Sequence, residues 1–243
     1  MNINEMVKEI FSLNSLLVLT GAGVSQESGV PTFRGKDGLW KNYDAKELAT
    51  PHAFEKNPKL VWEWYNWRRK IILKAKPNSA HYGIKKLEEI IPDFLLVTQN
   101  VDDLHREAGS KKIVEIHGNI FRTRCTVCNK KEFDKKVFKD EELPPKCKTC
   151  GSLLRPDVVW FGEPIDEIIF SSILEFLLRC DAILVVGTSL LVYPAASIPF
   201  YIKEKGGKVF EINLEPTQIS EISDISIFGK AGEIFEKFIN IIT

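Results

Sequence analysis

The sequence predicts an α/β fold built on a parallel sheet, and two observations carry that expectation. Four short apolar runs, Leu16–Leu19, Phe94–Val97, Ala182–Val186 and 208–212, each end in a polar cluster, and amphipathic helical stretches separate them. None shows the regular polar alternation of a half-exposed strand, so each reads as a strand buried on both faces. The second observation is size: 243 residues, 44% of them hydrophobic, with 15 Phe and 5 Trp, supply one sizeable core.

The elements follow in order. Residues 3–12 read as an amphipathic helix, and the first strand runs into Gly21-Ala22-Gly23-Val24-Ser25. An aromatic-rich helical stretch over 45–75 is an excursion from the sheet. The second strand runs into Thr98-Gln99-Asn100-Val101-Asp102, and the run Ile113–Ile116 ends at His117. A cysteine module over 119–152 is the second excursion. The strand at 182–186 then leads to Gly187-Thr188-Ser189, and the strand at 208–212 to Asn213. Ligands of open parallel sheets collect beyond the carboxyl ends of the strands, so these polar clusters are expected to converge on one crevice. No internal repeat or low-complexity tract divides the chain, which predicts one catalytic unit with insertions.

Charge excludes bulk electrostatic partners. Lys and Arg number 33 and Asp and Glu 33, for a formal net charge of zero. Direct nucleic-acid binding is therefore not expected, and neither is an anionic membrane surface. The N-terminus lacks a basic signal region, and no apolar run reaches the roughly 18 residues of a membrane span. A cytoplasmic, compact monomer is expected.

Four of the five cysteines form two CxxC pairs, Cys125/Cys128 and Cys147/Cys150, with 18 residues between the pairs. Thiolates from two such turns complete a tetrahedral zinc site with no open position, which makes the expected metal structural. Cys180, between an apolar helix and a strand, reads as a core residue. Several lysines in the cysteine span leave room for a zinc-ribbon module that docks on nucleic acid. They are interleaved with Asp134, Asp140, Glu141 and Glu142, which describes a solvated face better.

The Gly21–Ser25 cluster lets backbone amides approach a pyrophosphate, yet Gln26 stands where the dinucleotide fingerprint has its third glycine. Alone it describes a tight turn equally well. His117 emerges at a strand end before a glycine, with a reference pKa near neutrality, and is the candidate general base. His52, His81 and His105 lie in helical surroundings and read as surface or packing residues.

GAGVSQESGVPTFRG, TQNVDDLHREAGS, the His117-Gly118-Asn119 triplet, RPDVVWFGE, VGTSLLVYPAA and INLEPT together resemble the sirtuins, in family order from residue 20 to about 232. The resemblance implies a Rossmann-like parallel sheet domain over about 1–34, 80–118 and 153–243. It also implies a helical insertion over about 35–79 and a small zinc-binding module over about 119–152. The implied activity is NAD-dependent removal of acyl groups from protein lysines. Gly21, Ala22, Gly23 and Ser25 would cradle the NAD phosphates, and Phe33 and Arg34 would belong to a loop closing over nicotinamide. Gln99, Asn100 and Asp102 would form the nicotinamide and ribose pocket. Gly187, Thr188 and Ser189 would face phosphate and ribose, Asn213, Leu214 and Glu215 the adenosine ribose, and Ala231 the adenine edge.

In the implied mechanism the acyl oxygen attacks the nicotinamide ribose, nicotinamide leaves, and His117 activates a ribose hydroxyl. The products are free lysine and O-acyl-ADP-ribose. Val158–Gly162 has the extended apolar character of a strand edge that pairs with a peptide, bringing Phe161 and Gly162 to the substrate. Val159 and Val192 would flank the acylated lysine.

Tyr65 and Arg68, three apart, share a helix face and can offer a phenol and a guanidinium to one carboxylate. They resemble the Tyr-x-x-Arg pair of the sirtuin branch that recognises succinyl and malonyl lysine, with Arg69 a neighbouring competitor. The expected function is a deacylase of succinyl, malonyl and acetyl lysine on proteins, with chromatin proteins or metabolic enzymes as the substrate classes. A mono-ADP-ribosyltransferase using the same NAD site is the alternative.

Overall fold

The computed structural model describes residues 3–32 and 44–242. α1 (Ile3–Phe11) buries Met6, Val7 and Ile10, the spacing of one helix face, and leads to β1 (Ser15–Thr20), buried at all six positions. A glycine loop and the single turn α2 (Gly23–Gln26) follow. The aromatic-rich stretch forms α3 (Ala45–Leu48), α4 (Pro51–Lys56) and α5 (Pro58–Ile72). Thr50 and Asn57 cap α4 and α5 by accepting from the backbone N–H groups of Ala53 and Leu60. The proline after each cap stands at the first helical position, where no N–H is needed. α6 (Ser79–Ile90) returns the chain to β2 (Asp93–Thr98), which α7 (Leu104–Glu107) and β3 (Ile113–Glu115) follow.

β4 (Gly118–Cys125), β5 (Lys131–Phe133) and β6 (Leu154–Val158) form a small antiparallel sheet in the order β5-β4-β6. α8 (Glu167–Arg179), β7 (Ala182–Val186), α9 (Ile198–Glu204), β8 (Lys208–Asn213), β9 (Ile225–Phe228) and α10 (Ala231–Ile242) complete the chain. The large sheet has six parallel strands in the order β3-β2-β1-β7-β8-β9. It is the Rossmann-like doubly wound sheet, and its strand order reverses between β1 and β7.

Side-chain alternation along β1 shows why the strand is apolar throughout. Leu16 and Val18 pack with Met6, Ile84 and Phe235 on one face, while Leu17 and Leu19 pack with Phe176 and Ile202 on the other. A separate core joins α5 to the small sheet through Trp62, Trp64, Tyr65, Phe121, Leu154 and Trp160. Among the described residues no helix is long and apolar enough to cross a membrane.

Two differences from the sequence expectation have clear causes. β6 lies beyond residue 152 yet belongs to the small sheet, because it pairs with β4. The expected strand edge over Val158–Gly162 stops at Val158. Phe161 and Gly162 form a turn, with Gly162 at φ +87°, closed by the Glu163 N–H donating to the Trp160 carbonyl at 2.9 Å.

Candidate active site and metal centre

At the reversal point a cavity of about 590 Å³ opens beyond the strand ends. The glycine loop contributes Gly21, Ala22 and Gly23, and the loop after β2 contributes Gln99 and Asn100. His117 lies in its wall, with Gly187, Thr188, Ser189 and Val192 from the segment after β7. Leu214 and Glu215 border it beyond β8, Tyr65 and Arg68 from α5, and Val159, Phe161 and Gly162 beyond β6. A smaller hollow of about 310 Å³ brings Asn213, Leu214 and Ala231 to Gly23, together with Gln26 and Glu27, which the sequence motif did not single out. Phe33 and Arg34 lie outside the described residues.

The glycines have a structural duty before any ligand arrives. The Gly23 N–H donates to the Gly187 carbonyl at 2.8 Å, and a Cβ on Gly23 would stand 2.8 Å from that oxygen. Gly187, at φ +59°, meets the same backbone from the other side. Side-chain amides then lock the strand-end loops together. Gln99 Nε2 donates to Thr188 Oγ1 at 2.9 Å, Asn213 Nδ2 to the Thr188 carbonyl at 3.1 Å, and Asn100 Nδ2 to the Gly21 carbonyl at 3.0 Å.

Behind this floor lies a buried proton-ordered network. His81 Nδ1 accepts from the Asn78 N–H at 3.2 Å, so its proton is on Nε2, which faces Ser25 Oγ at 3.4 Å. Asn100 Nδ2 also donates to Ser25 Oγ, at 3.1 Å. With two donors on its oxygen, the Ser25 hydroxyl donates its own hydrogen bond to the Asp102 carboxylate. Burial raises the Asp102 carboxyl above its ordinary range, while the Ser25 bond, the Leu104 N–H and the Arg68 charge oppose that shift. Burial pulls His81 down to about 4, and His105 falls well below its ordinary value by burial and the neighbouring His81. Both imidazoles are neutral parts of the framework; His105 Nε2 lies 3.0 Å from Thr20 Oγ1.

His117 has the tautomer a base requires. Its Nδ1 lies 3.2 Å from the Gln99 carbonyl, an oxygen that only accepts, so Nδ1 carries the proton and Nε2 keeps its lone pair. Gly118, at φ +83°, fixes the turn after it, and a Cβ there would fall 2.1 Å from the Asp157 carbonyl. Burial lowers the His117 pKa, with the Gln99 hydrogen bond opposing.

The two arginines of α5 differ in their surroundings. Arg69 is wholly buried and spends its guanidinium on backbone: Nε and the second terminal nitrogen donate to the Ile120 carbonyl at 2.8 and 2.5 Å, and the first to the Lys136 carbonyl at 3.2 Å. Arg68 is also buried, but it borders the cavity beside Tyr65. Burial brings Arg68 down to about 10, which leaves it cationic at neutral pH, and burial raises Tyr65, which keeps its phenol protonated.

The four cysteines meet as the spacing predicts. The sulfurs of Cys125, Cys128, Cys147 and Cys150 lie within 4.8 Å of one another, with Cys125–Cys150 at 3.4 Å and Cys128–Cys147 at 3.7 Å. A tetrahedral zinc with bonds near 2.3 Å sets its sulfurs about 3.8 Å apart, so the cluster fits that ion with no ligand position left over. Cys180 is buried in the core, as expected.

The family model for the Sir2 family matches residues 21–194. This chain belongs to the Sir2 family. An NAD-dependent protein deacylase of Pyrococcus abyssi is 53% identical over 242 residues, covering 98% of this chain and 97% of its own. One from Aquifex aeolicus is 51% identical over 223 residues, covering 92% and 93%. A Sir2 homologue solved as an NAD complex superposes with TM-score 0.93 at 46% identity, covering 98% of this chain and 93% of its own. A Sir2 complex with a p53 peptide and NAD+ gives 0.89 at 33% identity, covering 99% and 98%.

In this Sir2 chain the lowered His117 pKa makes a signed expectation for pH. A general base at His117 would work as the neutral imidazole, so deacylation is expected to hold above the folded-state pKa and to fall as pH drops through it. The acid limb of a kcat/KM profile should lie below 6.5, the ordinary histidine value. A limb centred above 6.5 would contradict the assignment. Trp160, which also borders the cavity, escaped the sequence reading because an indole inside an apolar segment reads as core.

Proposed function

We propose that this Sir2-family chain removes succinyl, malonyl and acetyl groups from protein lysines, with the acyl carboxylate held by Tyr65 and Arg68. The coarse activity, NAD-dependent protein deacylation, follows from family membership and from relatives about half identical over nearly the whole chain. The single observation that supports the finer reading is a neutral phenol and a buried guanidinium bordering the same cavity as His117. A guanidinium beside a phenol can hold the carboxylate of a dicarboxylic acyl group by charge-assisted hydrogen bonds.

NAD, consumed as co-substrate, supplies an electrophilic ribose carbon and takes the acyl group. Gly21, Ala22 and Gly23 line the space for its phosphates, with Thr188 and Ser189 opposite and Ala231 at the adenine end. Asn100 spends both amide hydrogens on Gly21 and Ser25, which leaves its Oδ1 as the acceptor for a carboxamide N–H. His117 Nε2 takes the proton of a ribose hydroxyl, and the Gln99 carbonyl stabilises the Nδ1–H as positive charge develops. Val159 and Val192 flank the lysine stem, and the exposed Phe161, Leu191 and Tyr193 offer an apolar rim to the peptide around it.

Replacing Tyr65 by Phe and Arg68 by Met tests this reading. The double variant is expected to lower kcat/KM for a succinyl-lysine peptide by about 100-fold, because two hydrogen bonds to a charged group are lost, and to lower it far less for the acetyl-lysine peptide. Equal losses on both peptides would assign the pair to packing.

A further inference from the structure

We propose that Trp160 is a specificity-determining residue that acts through Tyr65. Its indole N–H occupies the acceptor side of the Tyr65 hydroxyl and so commits that hydroxyl to donate to the acyl carboxylate beside Arg68. The proposal rests on the acyl-carboxylate reading above.

The argument is a proton inventory. An indole N–H only donates, and Trp160 Nε1 lies 2.8 Å from Tyr65 Oη, so the phenol oxygen accepts there. A phenolic O–H prefers the plane of its ring, which leaves two orientations, and the indole takes one. The proton therefore occupies the other, and Tyr65 borders the cavity. Accepting one hydrogen bond also polarises the phenol and strengthens it as a donor. Tyr65 is buried and held protonated, so donation is its only charge-neutral service to a carboxylate.

The indole is itself held firmly. Arg155 stacks over it with Cζ 3.4 Å from the ring centroid, and the Phe54 ring lies 5.3 Å away. The Arg155 guanidinium grips Glu163 with both terminal nitrogens, at 2.5 and 2.8 Å, and also donates to the Val158 carbonyl at 3.0 Å. Glu163 in turn accepts the Trp160 backbone N–H at 2.9 Å. Burial pushes the Glu163 carboxyl up, but the Arg155 bonds outweigh this and hold it below its usual range, so the clamp stays charged at neutral pH. The result is a fixed donor aimed at one atom of Tyr65, on a residue only 2% exposed.

The test is a double-mutant cycle read as the succinyl-to-acetyl ratio of kcat/KM. Trp160→Phe keeps an aromatic ring under Arg155 and removes the N–H. The ratio is expected to fall about 5- to 10-fold, the worth of one hydrogen bond, and Trp160→Phe added to Tyr65→Phe is expected to lower it no further. An unchanged ratio in Trp160→Phe, alongside a reduced ratio in Tyr65→Phe, would overturn the Trp160 proposal and leave the carboxylate reading standing. Equal reductions with and without the Tyr65 hydroxyl would also overturn it, since the indole would then act by packing. A ratio unmoved by Tyr65→Phe with Arg68→Met would instead defeat the carboxylate reading beneath both. Should Trp160→Phe not fold, benzothienylalanine at position 160 keeps the bicyclic shape, replaces N–H by sulfur, and is read in the same way.

Discussion

Replacing His117 by Asn is expected to lower kcat/KM for deacylation about 10²- to 10⁴-fold, the range of a lost general base. The proton inventory makes this demanding: with Nδ1–H committed to the Gln99 carbonyl, Nε2 is the one imidazole atom left to take a proton. NAD affinity, measured by calorimetry, should change by less than about threefold, because the Gln99, Asn213 and Asn100 side chains tie the loops that line its proposed site to one another, and the imidazole meets those loops only at the Gln99 carbonyl. Retained turnover would remove His117 from the base role, and a parallel collapse of NAD binding would make its role structural.

Cys147→Ala should release the bound metal and lower the melting temperature by about 10 °C or more. The small sheet has little else to hold its outer part: β5 and most of residues 126–152 are exposed or half-buried, so metal ligation substitutes for a core there. The loss should also reach the proposed acyl site on α5. Residues just beyond β5 bond to α5, where Asn66 exchanges two hydrogen bonds with the Phe138 backbone and Arg69 donates to the Lys136 carbonyl. Lys135 pairs with Asp103 and Glu107 near the loop after β2. Metal content by mass spectrometry and a thermal melt check this together; an unaltered melt with no metal lost would refute it.

The parts of the molecule that were legible in the sequence are those where one local pattern has one physical meaning. Uninterrupted apolar runs gave β1, β2, β7 and β8, because these strands are covered on both faces: β1 is buried at all six positions, β7 at all five, and β2 and β8 at four each. Paired CxxC turns located the metal centre, since thiolate spacing encodes it directly. What stayed hidden depends on polar partners, several of them far along the chain. Arg68 and Arg69 are adjacent on one helix, and nothing local tells them apart; Arg69 is claimed by carbonyls at 120 and 136. His81 and His105 looked like packing or surface residues. Both are buried: His81 bonds Asn78 in the cap of its own helix and faces Ser25, and His105 Nε2 faces Thr20 of β1. β9 is four residues long and includes a serine, whose hydroxyl donates to the buried Glu211 on the neighbouring strand, so its register is set by a contact rather than by apolar pattern. The turn at Phe161 and Gly162 replaced the expected strand edge because Glu163 folds back on Trp160, a local polar contact that apolarity conceals.

The most direct measurement is a mass-spectrometric comparison of matched succinyl-lysine and acetyl-lysine peptides, each incubated with the purified protein with and without NAD. NAD-dependent loss of succinyl exceeding loss of acetyl is the predicted result, and it would support both the deacylase activity and the placement of a carboxylate at Tyr65 and Arg68. Acetyl loss alone would contradict the acyl preference and return the two side chains to structural duty. No NAD-dependent loss from either peptide, with ADP-ribose appearing on protein, would contradict deacylation and move the transferase reading forward.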